Sequence, residues 1–131
     1  MAQPSIEVIL TRELASALTT PVFLVDPNGN LLFYNEPAEP ILGCRFDETG
    51  EMSVEKWSTM FVPTDADGHP LPPEGLPLVI ALQERRPAHA RFYIKGLDGS
   101  AHEIEVSAFP LIGQGSRLRG GVAFFWEARD P

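Results

Sequence analysis

Ile6, Ile9, Leu10, Leu14, Ala17 and Leu18 recur at intervals of three and four, with Glu7, Thr11, Arg12 and Ser16 between them. That spacing predicts an amphipathic helix whose apolar stripe needs a surface to cover it. Ser5, just after Pro4, is placed to cap the first turn, because its hydroxyl can accept from an amide with no helical partner. Pro21 closes the segment, and "VFLVD" follows as a short apolar run ended by "PNGN". Asn28-Gly29 suits the positive φ of a tight hairpin turn, which makes "LLFYN" the second strand. From Asn35 to Gly50 a polar stretch is broken by Pro37, Pro40, Gly43 and Gly50, so only short helical turns fit. Helical spacing returns in "SVEKWSTMF", with Val54, Trp57, Met60 and Phe61. Lys56 cannot accept the reciprocal bond, so Ser53 opens that short helix without a full capping box.

"VPTDADGHPLPPEGLP" holds five prolines and two glycines in sixteen residues, which predicts a loop. It leads into "LPLVIALQERR", where Leu76, Val79, Ile80 and Leu82 suit a helix begun around Glu74 and Pro77. "AHARFYIKG" turns at Asp98-Gly99 into "AHEIEVSAFPL", and the loop "IGQGS" precedes a last strand, "LRGGVAFFWE". The predicted order is helix, two strands, short helices, a longer helix and three strands. Five antiparallel strands with the helices grouped on one side make an α+β architecture.

Composition narrows the partners. The 131 residues, 44% of them apolar, suffice for one domain with a core of its own. The single cysteine, Cys44, cannot form an internal disulfide, which agrees with a reducing cytoplasm, and a lone thiol ordinarily serves as a small apolar filler. No run of about eighteen apolar residues predicts a membrane span, and the N-terminus lacks the basic stretch and apolar core of a signal peptide. A net charge of -8 opposes binding to a nucleic-acid backbone, leaving proteins or small molecules as partners.

Two longer stretches carry a family pattern. "PVFLVDPNGNLLFYNEPAEPILG" has a strand ending in Asp-x-x-Gly-x, a second strand, an Asn, and a small-residue helix ending in Leu-Gly. "IKGLDGSAHEIEVSAFPLIGQGSRLRGGVAFFWEARD" has a Lys-x-x-Asp-Gly turn, Ser107 and Pro110 in Ser-x-x-Pro spacing, and a Gly-Gly lead into the last strand. In order and spacing they resemble the PAS domain family over more than a hundred residues. With the N-terminal helix that its periodicity predicts over residues 1–20, the resemblance implies a PAS-like domain over 21–130 with a five-stranded antiparallel sheet. It also implies a small ligand on the concave sheet face, or dimerisation through the outer face, and no catalysis. The chain departs from the family at Glu127-Ala128-Arg129-Asp130, where many members carry an Asp-Ile-Thr that couples to an output helix.

The same resemblance bears on cofactors. In the flavin-binding branch, two asparagines and a glutamine hydrogen-bond the ring, and here those positions fall on Ile94, Ile104 and Phe125. The branch's thiol signature is shortened to Gly43-Cys44-Arg45-Phe46, so flavin photochemistry at Cys44 is disfavoured. Haem is disfavoured too, because the helix before the third strand has no histidine; His69, His89 and His102 all lie elsewhere. "DADGHPLPPE" imitates a calcium loop with Asp65, Asp67, Gly68 and Glu74, but Pro63 occupies the first ligand position and further prolines interrupt it. No metal site and no acid, base or nucleophile cluster of an enzyme is predicted.

If the concave face is the one that carries those cofactor positions, Phe92, Ile94, Ile104, Val106, Ala108, Ala123 and Phe125 line an apolar pocket, with Val79 and Leu82 added from the helix. Val122, Phe124 and Trp126 then lie outside, and with Ile6, Ile9, Leu10, Leu14 and Leu18 of the N-terminal helix they form a predicted dimer interface. The expectation is a cytoplasmic, homodimeric sensory domain that takes an apolar small molecule or a protein partner and regulates an effector. A ligand-free assembly module is the alternative, and a small α+β enzyme is the one from another class.

Overall fold

A computed structural model describes residues 5–128. Pro4, and Arg129-Asp130 of the terminal departure, lie outside the described residues. The elements follow the predicted order: α1 (Ile6–Ala17), β1 (Val22–Val25), β2 (Leu31–Tyr34), α2 (Glu39–Leu42), α3 (Phe46–Thr49), α4 (Val54–Met60), α5 (Pro77–Glu84), β3 (Ala88–Lys95), β4 (Ala101–Ile112) and β5 (Leu118–Glu127). The strands form one sheet in the order β2-β1-β5-β4-β3, with every pair antiparallel. Pairing the last strand with the first places β5 at the centre and closes the two hairpin regions into one surface.

Local chemistry fixes the ends of the elements. Ser5 Oγ accepts from the Val8 amide at 3.3 Å, and Ser53 Oγ accepts from the Lys56 amide at 3.3 Å. In the first hairpin only Gly29 takes a positive φ, of 89°. Asn28 was expected to share that role, but Asp26 Oδ1 accepts from the amides of Asn28 and Asn30, both at 2.9 Å, and so closes the turn. That turn then receives α4: Trp57 Nε1 donates to the Gly29 carbonyl at 2.8 Å, and Asn30 Oδ1 accepts from the Val54 amide at 3.2 Å.

Buried residues form a cluster on each face of the sheet. On one face, Ile41, Leu42, Trp57, Leu78 and Ala81 of the helices pack on Phe23, Phe92, Ile104 and Phe125. On the other, α1 presents Val8 and Ala15 to Val22, Leu24 and Val122, with Leu18 and Phe124 alongside. Of the expected stripe, Leu18 packs beside Val122 and Phe124 on this face. Ile6, Ile9, Leu10 and Leu14 point the other way and are 66%, 46%, 61% and 58% exposed. At about 100° per residue Val8 and Ala15 stand opposite that stripe, so the smaller apolar face docks and the larger one is left outward.

Asn35 secures the docking. Its Oδ1 accepts from the Val22 amide at 2.9 Å, and its Nδ2 donates to the carbonyls of Ala15 and Thr20 at 3.0 and 2.9 Å. The side chain is buried, so losing it strands the Val22 amide and the Thr20 carbonyl and leaves the Ala15 carbonyl only its bond from the Leu18 amide. Asn35→Ala is expected to lower unfolding free energy by about 3 kcal/mol or more, read from the urea midpoint at unchanged slope.

Candidate functional site

Between the sheet and the helices lies a cavity of about 70 Å³. The strand side of its wall is Phe92 and Ile94 of β3, Ile104 and Val106 of β4, and Ala123 and Phe125 of β5. These are six of the seven strand positions expected at the pocket, brought together by strand alternation because β3, β4 and β5 pair in register, while Ala108 is buried in the same core cluster without lining the cavity. The helical side comes from Leu42, Trp57, Phe61 and the segment Leu76-Pro77-Leu78, with Phe23 of β1 closing one end. Trp57 meets Phe23 edge to face at 5.0 Å between ring centroids.

Val79 and Leu82 do not line the cavity. Pro77 begins α5, so its first turn faces inward through Leu78, while Val79 is rotated about 100° toward Gly29 and Val54. Leu82 lies a turn further on and packs against Gly121, as Leu78 also does. The sequence reading missed Trp57 and Phe61, whose helical spacing was legible but whose direction depends on the hairpin turn that holds α4.

No known family profile and no curated relative matches the chain. Solved structures do. A light-oxygen-voltage protein of Rhodobacter sphaeroides aligns over 94% of this chain and 68% of its own, with a TM-score of 0.72 and 12% identity. The PAS domain of the fruit-fly ELK potassium channel aligns over 94% and 97%, at 0.69 and 8%. The PAS domain of Bordetella pertussis BvgS aligns over 95% and 87%, at 0.63 and 15%. The chain has the PAS fold.

In this PAS fold the positions at which the sequence resemblance places a flavin's partners, Ile94, Ile104 and Phe125, all stand on the cavity wall. They offer a flavin nothing for its polar edges, at a cost of about 1 to 3 kcal/mol for each unpaired group. The volume is also well below the roughly 300 Å³ at which small-molecule sites begin. The wall does not fit a flavin. The histidines stand off the cavity as well: His69 is in the loop after α4, His89 is on the outer sheet face beside Glu105, and His102 lies at the sheet rim beside Glu127.

Cys44 is neither core filler nor cavity residue. It lies on an outer groove among Glu36, Glu39, Arg45 and Glu48, with Sγ 3.7 Å from the Glu48 carboxylate. Burial and that carboxylate push the thiol up from its ordinary value, so it is a poor thiolate. Its backbone matters more, because the carbonyl of Cys44 accepts from the Tyr34 hydroxyl at 2.8 Å. In the following loop, Asp65, Asp67 and His69 bring their ligand atoms within 4.8 Å of one another. Asp65 Oδ1 already accepts from the amides of Asp67 and His69 and serves as the turn's anchor.

Burial pushes the Tyr34 phenol up to about 12, against an ordinary 10.0. A raised folded-state value means that stability is intact below about pH 10 and declines as the pH climbs toward 12. Tyr34→Phe is expected to flatten that alkaline decline while costing about 1 kcal/mol at neutral pH for the lost bond to Cys44. Denaturation midpoints measured at a series of alkaline pH values, in both proteins, check it.

Proposed function

We propose that the chain is a sensory or regulatory PAS domain of the cytoplasm that acts as a homodimer, with α1 as the contact, and passes its state to an effector domain or signalling partner. The observation that carries this reading is the outward stripe of Ile6, Ile9, Leu10 and Leu14. Such a stripe costs about 25 cal/mol for each Å² left in water, and the body of the domain does not cover it. Trp126, 39% exposed on the outer face of β5, extends the apolar surface beyond the helix. A two-fold axis beside α1 would bring each stripe onto its own copy. The net charge of -8 opposes pairing, so the dimer should tighten as salt screens it.

Sedimentation of the intact chain at high micromolar concentration is expected to give a dimer. Leu10→Glu with Leu14→Glu should weaken it by at least about a hundredfold, since each buried leucine contributes about 1.5 to 3 kcal/mol, while near-ultraviolet dichroism stays native. A monomeric wild-type chain defeats the reading.

A second reading, favoured by the cavity, is that the core takes a small apolar ligand. The wall has no polar partner for water, which needs two to four, so an apolar occupant of a few heavy atoms suits it best. Trp57 reports from the wall. A small hydrocarbon probe should shift its fluorescence saturably, and Ile104→Phe, which fills the space, should weaken that binding by about tenfold or more. Tight retention of an anionic metabolite would contradict it.

A further inference from the structure

Four polar side chains at the rim of the sheet take no part in the cavity or in the α1 stripe. By strand alternation His102 of β4 shares a face with Ile104, and Glu127, the last residue of β5, shares that face with Phe125. His102 Nδ1 lies 2.6 Å from Glu127 Oε1, and Nε2 lies 2.9 Å from Ser100 Oγ. Ser100 donates its hydroxyl to Asp98 Oδ1 at 2.6 Å and its amide to the same oxygen at 3.0 Å. Those two bonds hold the Asp98 carboxyl below the usual carboxylate range.

The protons along this row can be counted. A carboxylate only accepts, so the single hydroxyl proton of Ser100 is committed to Asp98. Ser100 Oγ then meets Nε2 as an acceptor, and Nε2 must carry a proton. Glu127 also only accepts, so Nδ1 must carry one too. The imidazolium alone has both; a neutral ring satisfies one side and turns a lone pair toward an acceptor on the other.

On β3 the residue opposite His102 is apolar Ile94, and the neighbouring Lys95 is exposed. The groove beyond Asp98 carries Glu36, Glu39 and Glu48 with one cation, Arg45, whose guanidinium is paired to Asp47 at 3.1 Å. Glu103 turns to the opposite face, where Arg91 donates to it at 2.7 Å.

We propose that Asp98, Ser100, His102 and Glu127 form a proton-dependent clasp, closed when His102 is protonated, that ties the end of β5 to the turn between β3 and β4. Closed, it holds the strand end beside the hairpin. Loss of the proton releases one of the two contacts and loosens the last turn of the ladder. The Ala128 amide reads that event, because it donates to the Glu103 carbonyl at 2.9 Å just beyond the clasp.

Amide hydrogen exchange of Ala128, corrected for intrinsic rates, is measured in the full chain from about pH 5.5 to about pH 8.5, either side of ordinary imidazole titration. Protection is expected to fall by about five- to tenfold across that range, the loss of one charge-assisted bond. In Glu127→Gln the new amide can accept from an N–H or donate to a bare nitrogen, so the contact survives at both ends and the dependence should vanish. His102→Gln should abolish it too, and Glu127→Gln decides if that variant unfolds. Protection in the wild-type chain that does not change with pH overturns the clasp. So does a dependence that persists in Glu127→Gln, which would belong to His69 or His89.

Discussion

The carboxamide of Asn35 accepts from the Val22 amide and donates to the carbonyls of Ala15 and Thr20, so the end of β2, the start of β1 and the last turn of α1 meet on one buried group. An amide suits this position because it offers one acceptor and two donors to a site with one N–H and two carbonyls that can each take a bond. An aspartate would set a carboxylate against two carbonyl oxygens. Everything on the outer face depends on this bond set. It fixes where α1 ends, hence which of its faces reaches Val22 and Val122, hence which face remains outward. The Asn in the second strand's tail was legible as part of a family pattern, but its role was not, since its partners lie 13 to 20 residues away in the chain.

Periodicity found α1 and its cap, but the stripe it marked stays outward while a smaller apolar face docks on the sheet. Ile6, Ile9, Leu10 and Leu14 are larger and more numerous than Val8 and Ala15, and a moment computed on size favours them. Packing follows a different rule: a helix laid flat on a sheet needs small residues where the backbones approach, and Ala15 meets the sheet beside a carbonyl already bound to Asn35. The same difficulty appears in α5, where Val79 and Leu82 match an apolar stripe but Pro77 sets the first turn, and with it Leu78, against the cavity. Strands are more legible. A period of two leaves only two faces, and one correct assignment places six of the seven expected residues of β3 to β5 on the wall.

Loop contributions stayed hidden for a further reason. Phe61 and Pro63 reach the cavity across Val62, which sits at a φ of 46°, in a region that costs a β-branched residue about 1 to 2 kcal/mol. Nothing local demands that conformation. It is held by tertiary bonds on either side, from the Lys95 amide to the Phe61 carbonyl at 2.8 Å and from the Thr64 amide to the Tyr93 carbonyl at 2.8 Å. These bonds draw the loop after α4 onto the edge of β3. A proline-rich stretch read by itself gives no hint of such an anchor.

Strand β5 joins the two surfaces that the proposals use. Along it, Val122, Phe124 and Trp126 face outward, while Ala123 and Phe125 face the cavity and Glu127 the rim. Its pairing with β1 on one side and β4 on the other leaves it no freedom to shift alone. A ligand that pushes Phe125 must therefore move Phe124 and the α1 residues packed near it, or else displace the strand end held at Glu127. Because protein interiors are close-packed, small displacements are passed on rather than absorbed. Under these proposals, the central strand is an element through which an occupied core, a proton at the rim and a paired α1 would each bias the others.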